Sequence, residues 1–462
     1  MRRASNQRQA GRTYLGDLAY NPAVPATSPK ISPAGRGVAD RCPGALRLAE
    51  AADGYLARVR LPGGFVTGGQ LRALAGLAAE LGDGRVELTS RGNVQVRALA
   101  ADAAEPLTGA LTRAGLLPSL DHDRVRNVLA SPLAGLDGLG SGRDLAAIVA
   151  ALDAGLCARP RLTELSGRFL FAIDDGRGDV AGLGADVVAV VSADGAVVNG
   201  LVVNGPVLDP GTDADATVIS GLAVNETVAD STTPRGKADV AFADIVAVML
   251  ALAEAFLDER AAVGSAAWRI ADLPDGAASV RAAVVKRFGL APGPERPVPV
   301  TGARPVGLVR CPAGAGGGVE PGSVTPHDLD VDSVVLLAPL GRLTAPQVTW
   351  LAARVAGRPA RITPWRSVVL PGQPDAGQAL REAAGLGFGV DESSPWLRVT
   401  ACAGRPGCAS ALADVQADAA GFAARWPGRI VHVSGCGRHC GRPAATEIDV
   451  TATSEGYEVA EV

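Results

Sequence analysis

Apolar and polar residues alternate from Gly54 to Leu61, the period of two expected of a strand with one buried face. From Gln70 to Leu81 the apolar positions shift to helical spacing, and Arg85 to Leu88 returns to strand character, so this stretch reads as a β-α-β start. The order recurs further on: Ser333 to Leu340 reads as strand, Thr344 to Ala356 as helix and Arg361 to Thr363 as strand. The two units also share wording. Leu61-Pro62-Gly63-Gly64 is echoed by Ala338-Pro339-Leu340-Gly341, Gln70-Leu71 by Gln347-Val348, and Glu87-Leu88-Thr89 by Arg361-Ile362-Thr363, which points to a long-period internal duplication. A larger segment follows each unit, with strand-rich runs such as Asp186 to Val203 and a helical run from Asp239 to Leu257. Within that run Ala241 to Leu257 is strongly apolar, but Asp244 and Glu254 interrupt it short of the roughly 20 residues a membrane span needs, so it reads as a buried helix.

The 462 residues suggest about three domains on a prior of roughly 150 residues each. The pattern divides them into an arm at 1–40, a small unit at 41–115, a larger α+β segment at 116–290, a Pro/Gly-rich linker at 291–322, a second small unit at 323–372 and a final segment at 373–462. The expectation is an α+β protein with pseudo-twofold symmetry and a site between its halves. Lys and Arg number 44 against 48 Asp and Glu, a net charge of −4, so no nucleic-acid or membrane partner is expected and any anion site must be local. Residues 1–40 lack the apolar core of a secretory leader and are expected to be a disordered arm. Seven cysteines, four of them clustered near the end, point to metal binding in a reducing compartment, and hence to a cytoplasmic protein, rather than to a disulfide framework.

The four clustered cysteines stand as Cys402 and Cys408 in a C-x5-C hook and Cys436 and Cys440 in a C-x3-C hook, framed by Gly404, Gly407, Gly435, Gly437 and Gly441. Four thiolates complete a 4Fe-4S cubane, and the glycines let backbone wrap closely around it. A structural zinc site, which prefers C-x2–4-C hooks, and four separate buried thiols are the alternatives. Cys408 is expected to open a helical run to Phe422, whose N-terminus would face the anionic cluster. Cys42, Cys157 and Cys311 read as ordinary thiols.

With these hooks in place, nearly everything after residue 40 resembles the sulfite and nitrite reductases, in which two such cysteine pairs hold a 4Fe-4S cluster coupled to sirohaem. The fold this implies is a pair of reductase-like halves, each a ferredoxin-like half-domain followed by a larger α+β segment. Leu88-Thr89-Ser90-Arg91-Gly92-Asn93-Val94-Gln95-Val96 looks like the family's Thr-Thr-Arg-Gln-x-x-Gln signature, so Arg91 inherits its anion-binding role. Arg126-Asn127-Val128 resembles the segment that supplies a second arginine, and Leu165 to Phe171 the segment that supplies two lysines. Here Arg168 replaces one lysine and Leu170 the other, and the second hook lacks the Pro-Asn pair common in the reductases. Losing a cation weakens a chemistry that concentrates negative charge at the haem.

Arg41-Cys42-Pro43-Gly44-Ala45-Leu46-Arg47, Leu61 to Gly64, Arg168-Phe169 with Asp174-Asp175-Gly176, and His432 to Cys436 resemble one branch of the superfamily, the precorrin-3B synthases. That resemblance implies a monooxygenase of aerobic cobalamin biosynthesis. Such an enzyme uses dioxygen and electrons from NADH to hydroxylate precorrin-3A at C20 and close a γ-lactone, with a 4Fe-4S cluster and a separate mononuclear non-haem iron. Precorrin-3A is fringed by carboxylates, for which Arg91, Arg126, Arg168 and Arg97 are the candidate partners. His122, His432 and His439 are candidates for the mononuclear iron. Gly182-Leu183-Gly184 lacks the further glycine of a dinucleotide fingerprint, so electrons are expected from a separate NADH-linked reductase or a ferredoxin. The rival readings are an assimilatory sulfite or nitrite reductase, in which Cys440 would bridge cluster and sirohaem, and a substrate-free iron-sulfur electron carrier.

Overall fold

The computed structural model describes residues 40, 42–192, 196–198, 201–203, 237–288, 305–311 and 331–462; the expected arm, all but its last residue, lies outside the described residues. The first small unit holds β1 (Ala49–Ala51), β2 (Gly54–Val59), β3 (Phe65–Val66), α1 (Gly68–Leu81), β4 (Arg85–Leu88), β5 (Val94–Leu99) and α2 (Ala104–Arg113). Thr67 caps α1 by accepting from Gln70 N while the Gln70 side chain accepts from Thr67 N, which satisfies two backbone donors at once. Leu71, Leu74 and Ala78 then face inward at helical spacing.

The middle segment contributes β6 (Val128–Ala130), α3 (Ala146–Cys157), β7 (Phe171–Asp174), β8 (Val187–Val191), β9 (Ala196–Val198), β10 (Leu201–Val203), α4 (Lys237–Ala262) and α5 (Gly276–Phe288). Its strands form one sheet in the order β10-β9-β8-β7-β6, with β6, β7 and β8 parallel. Nearly every described side chain of α4 from Ile245 to Leu257 is buried, in one core with α3, α5 and this sheet. The apolar run is therefore a core helix. No described helix is long and apolar enough to cross a membrane.

The second small unit holds β11 (Gly307–Val309), β12 (Ser333–Leu337), β13 (Arg342–Thr344), α6 (Ala345–Arg354), β14 (Ala360–Ile362), β15 (Ser367–Leu370) and α7 (Ala376–Gly385). Most of the expected linker at 291–322 lies outside the described residues, but its Gly307–Val309 is the edge strand β11, hydrogen-bonded to β12. Thr344 and Gln347 repeat the reciprocal cap of Thr67 and Gln70. The two units also trade strands. Sheet 1 runs β1-β2-β5-β4-β13 and sheet 2 runs β11-β12-β15-β14-β3, so each takes its last strand from the other unit. Both traded strands follow a tight Pro-containing turn, Pro62–Gly64 and Pro339–Gly341. Their inner faces share one core with α1, α2, α6 and α7.

The chain ends in β16 (Val399–Ala401), α8 (Val415–Arg425), β17 (Val431–Ser434), β18 (Ile448–Thr453) and β19 (Gly456–Glu461), a four-stranded sheet with its own small core. Leu340, from the turn before β13, packs into that core and joins it to the small units.

Candidate functional site

The hooks grow from the ends of two parallel neighbours, because β16 leads into Cys402 and β17 into Gly435-Cys436. Cys402 N donates to Val433 O at 3.0 Å, Leu412 N to Gly435 O at 2.7 Å and Gly435 N to the Cys402 Sγ at 3.1 Å, so the loops are laced together at the sulfur. A Cβ at Gly435 would lie 2.7 Å from the Ala411 Cβ, so that position has room only for glycine. Among the described residues no three of the four sulfurs come within 4.8 Å of one another, wider than the edges of about 3.8 Å that a single tetrahedral zinc imposes with Zn–S near 2.3 Å. Four thiols on two glycine loops, one sulfur already taking a backbone N–H, suit an iron-sulfur cube. One expectation needs correction: Cys408 does not open a helix. Residues after it form turns, and α8 starts only at Val415, where the Asp414 carboxylate caps Ala417 N.

Sheet 1 supplies the floor beside the hooks. Its inner face, with Ala57, Val59, Val86, Leu88, Val94 and Val96, is apolar. Because side chains alternate, the other face carries a row that runs in register from Arg342 through Glu87 and Gln95 to Arg58. Arg342 pairs with Glu87 at 3.4 Å, Gln95 Nε2 donates to Glu87 at 3.3 Å, and Arg58 Nε donates to Gln95 at 3.0 Å. On the same face Arg97 grips Asp53 with two nitrogens and donates to Gly407 O at 3.1 Å, which fastens the first hook to the sheet.

Beyond Arg58 lie Arg60 and Arg91, with the Cys42 thiol among them. Arg60 is 1 % exposed, donates only to the Pro43 and Arg124 carbonyls, and leaves Nε and Nη1 without partners. Burial, with Arg58 adding repulsion, pushes its pKa down to about 9. Burial also lowers Arg58 and Arg91, the latter helped by Arg269. Arg91 Nη1 reaches Gly167 O at 3.2 Å. Among the described residues none of these three arginines forms an ion pair. Burial and Asp40 push the Cys42 thiol up, so it stays protonated.

The remaining candidates scatter. Arg126 is buried but bidentate to Asp153 and bonded to Leu116 O, so each of its three nitrogens is already engaged within the fold and it is corrected to a structural role. Arg97 is likewise committed to Asp53 and Gly407. Arg168 lies beside the site with its guanidinium 4.7 Å over the Trp268 ring. Leu170 is buried with Leu129, Ala172 and Val180. His122 is occupied at both nitrogens, by Ser119 and Arg159 O. His432 bonds Thr400 and is pushed to about 4 by burial, while His439 pairs with Asp449 at 2.9 Å. Among the described residues these histidines do not converge with a carboxylate on one point. Asp174, Asp175 and Asp179 do converge, but Asp174 is filled by four backbone N–H groups, Asp175 by Arg177 and Asp179 by Ser131. The residues missed from sequence are Arg58 and Arg60. Their signal was a pair of arginines two positions apart, Arg58 in β2 and Arg60 just after it, alternating with the apolar Ala57, Val59 and Leu61.

Comparison with known proteins follows this geometry. Residues 48–114, which carry Arg58, Arg60 and Arg91, match the nitrite/sulfite reductase ferredoxin-like half domain. The chain is 25 % identical over 453 residues to a precorrin-3B synthase from Sinorhizobium sp, covering 96 % of this chain and 87 % of that one. It is 35 % identical over 85 residues to a ferredoxin–nitrite reductase from Leptolyngbya laminosa, a match spanning 18 % of this chain and only 17 % of the relative. The solved NirA protein of Mycobacterium tuberculosis has the same fold, with TM-score 0.60 at 19 % identity over 88 % of this chain and 73 % of that one. Half-domain and full-length relative agree: the match at residues 48–114 places that half domain with the sulfite/nitrite reductases, the full-length relative is a precorrin-3B synthase, and the solved structure shares the fold.

Proposed function

We propose that this chain is a precorrin-3B synthase, an oxygen-dependent oxidoreductase that hydroxylates precorrin-3A and closes its γ-lactone. The observation that carries the reading is the trio Arg58, Arg60 and Arg91 at the polar face of sheet 1, Arg60 buried and the other two half-buried, none of them in an ion pair among the described residues. An unpaired buried charge such as Arg60 costs several kcal/mol, and two more half-buried arginines beside it add repulsion that a bound anion would relieve. Carboxylates around a macrocycle meet that need, and arginine binds them bidentately. The full-length similarity to a precorrin-3B synthase supports the same choice of ligand.

Cys402, Cys408, Cys436 and Cys440 would hold a 4Fe-4S cluster, which supplies one-electron reduction when bound. Arg97 positions the first hook against the sheet through Gly407 O. Arg58, Arg60 and Arg91 orient the macrocycle, and the neutral Cys42 thiol adds no competing charge among them. One oxygen atom of dioxygen enters the product and the other leaves as water, with the two electrons supplied by an NADH-linked reductase or a ferredoxin.

A sirohaem-dependent sulfite or nitrite reductase is the second reading, because sirohaem is also fringed by carboxylates and partial matches to nitrite reductases exist. Leu170 weighs against it: the position of a reductase lysine is sealed in an apolar cluster. The test is purification without air, an absorption spectrum, and incubation with precorrin-3A, reductant and dioxygen. A brown cluster-only spectrum with oxygen-dependent product supports the synthase. Sirohaem bands with sulfite or nitrite turnover overturn it.

A further inference from the structure

The turn joining β14 to β15 is built like the one joining β4 to β5. Thr363 N donates to Ser367 O at 2.9 Å and Arg366 N to Thr363 O at 3.1 Å, as Thr89 N donates to Asn93 O at 2.9 Å and Gly92 N to Thr89 O at 3.2 Å. At the fourth position one turn has Gly92 with φ 64° and the other has Arg366 with φ 65°. Left-handed backbone is easy for glycine and unfavourable for a residue with a Cβ, so arginine is a costly occupant here.

Its side chain is given room by a second glycine. A Cβ at Gly341 would sit 2.6 Å from the Arg366 Cδ, so the arginine lies across the turn that precedes β13. From there it comes under the influence of Glu87 in the polar row of sheet 1. Burial lowers its pKa, and Glu87 is the charge that counters this. Glu87, however, already pairs with Arg342 and accepts from Gln95. Among the described residues the Arg366 guanidinium has no hydrogen bond and no ion pair, and the neighbouring Trp365 Nε1 is buried without a partner. A strained backbone that presents an unpaired cation suits a ligand contact better than a fold contact.

We propose that Arg366, delivered by the second unit, anchors a peripheral carboxylate of the bound macrocycle at the Glu87 end of the polar row. Arg58 stands two strands away, about 10 Å at a strand spacing near 4.8 Å. A single oxyanion such as nitrite cannot touch both ends, whereas a macrocycle with carboxylates on opposite edges can. This inference rests on the reading that the site holds a polycarboxylate tetrapyrrole.

Uroporphyrin III, an octacarboxylate tetrapyrrole, serves as the probe, with fluorescence titration of the cluster-loaded full chain and thermal melting of each variant. Arg366→Gln and Arg366→Gly should each weaken binding about tenfold, the typical loss of one charge-assisted contact. Arg366→Gly should also melt higher than the parent, because the left-handed strain is gone. Saturable binding by the parent with unchanged affinity in both variants overturns the inference and leaves the proposed function intact. Weaker binding with a lower melting temperature in Arg366→Gly makes the arginine a fold residue and overturns it too. If the parent itself shows no saturable binding, the inference and the reading beneath it fall together.

Discussion

Sheets 1 and 2 have the same strand order, each closed by a strand from the other unit, yet their outer faces are opposites. Across sheet 1 the row is Arg342, Glu87, Gln95 and Arg58; the corresponding row across sheet 2 is Phe65, Arg361, Val369, Val335 and Gly307. Leu133 and Leu136 seal the second row against Val335 and Val369. Its one cation, Arg361, lies over the Phe65 ring and bonds Pro132 O, Ala134 O and Asp144, leaving only Nε without a partner. Arg60 is as deeply buried as Arg361 but forms no ion pair among the described residues, the nearby Asp123 being taken by Ala45 N and Leu46 N. One face has been closed with apolar cover and a paired charge, while the other keeps unpaired charge beside the cysteine hooks. Under the proposed function, the contrast marks where in this architecture free energy of folding is given up for binding.

The comparison breaks most visibly at the cysteines. Cys402→Ser should remove nearly all iron and sulfide from anoxically purified protein, whereas Cys311→Ser, beside sheet 2, should leave both unchanged; elemental and sulfide analysis decides. Next come the two buried arginines, which should respond with opposite signs. Arg361→Leu strands two buried carbonyls and leaves Asp144 paired with Arg358 alone, and should cost about 3 kcal/mol. Arg60→Leu removes an uncompensated charge and should stabilise the ligand-free chain by about 1–3 kcal/mol. Denaturant unfolding of both variants measures this, and a shift in the same direction would erase the distinction between the faces.

A pH-dependent effect sharpens the picture of how sheet 2 is covered. The cover segment is tied to the 174–179 loop by Arg177 to Asp137, and Asp179 in that loop is pushed up to about 7, by burial first and Asp174 second. Its folded value lies above the ordinary one, so its stability contribution is complete below about pH 4 and is lost as pH rises through 7. Asp179→Asn should flatten the pH dependence of unfolding between pH 4 and 7, a change of up to about 4 kcal/mol over that window. An unaltered slope would assign the titration to another group.

The hooks, the two β-α-β units and Arg91 were legible in the sequence because each rests on local spacing or a short signature. Arg58 and Arg60 were not recognised as site residues. Alternation marks a strand with one buried face, but it does not say whether the polar face meets water or another part of the chain. Arg126, like Arg91, stands in a segment resembling the family's, and Arg97 was a candidate without such a match; what removes both is an aspartate 44 or 27 positions away, Asp53 or Asp153, that only the fold brings into bonding range. The Ala-rich run after Cys408 has helical propensity, yet the turns tied to Gly404 and Gly435 delay the helix to Val415. The traded strands β3 and β13 are two and three residues long, too short for any periodicity to register.

The most direct measurement is an anoxic titration of the cluster-loaded chain with precorrin-3A, followed by its spectrum, for the parent and for Arg58→Gln/Arg91→Gln. The parent should saturate at one macrocycle per chain with affinity that falls as salt rises, and the double variant should bind at least a hundredfold more weakly, about 2.8 kcal/mol. Equal affinity in the two proteins would mean that the uncompensated arginines of sheet 1 do not hold the macrocycle.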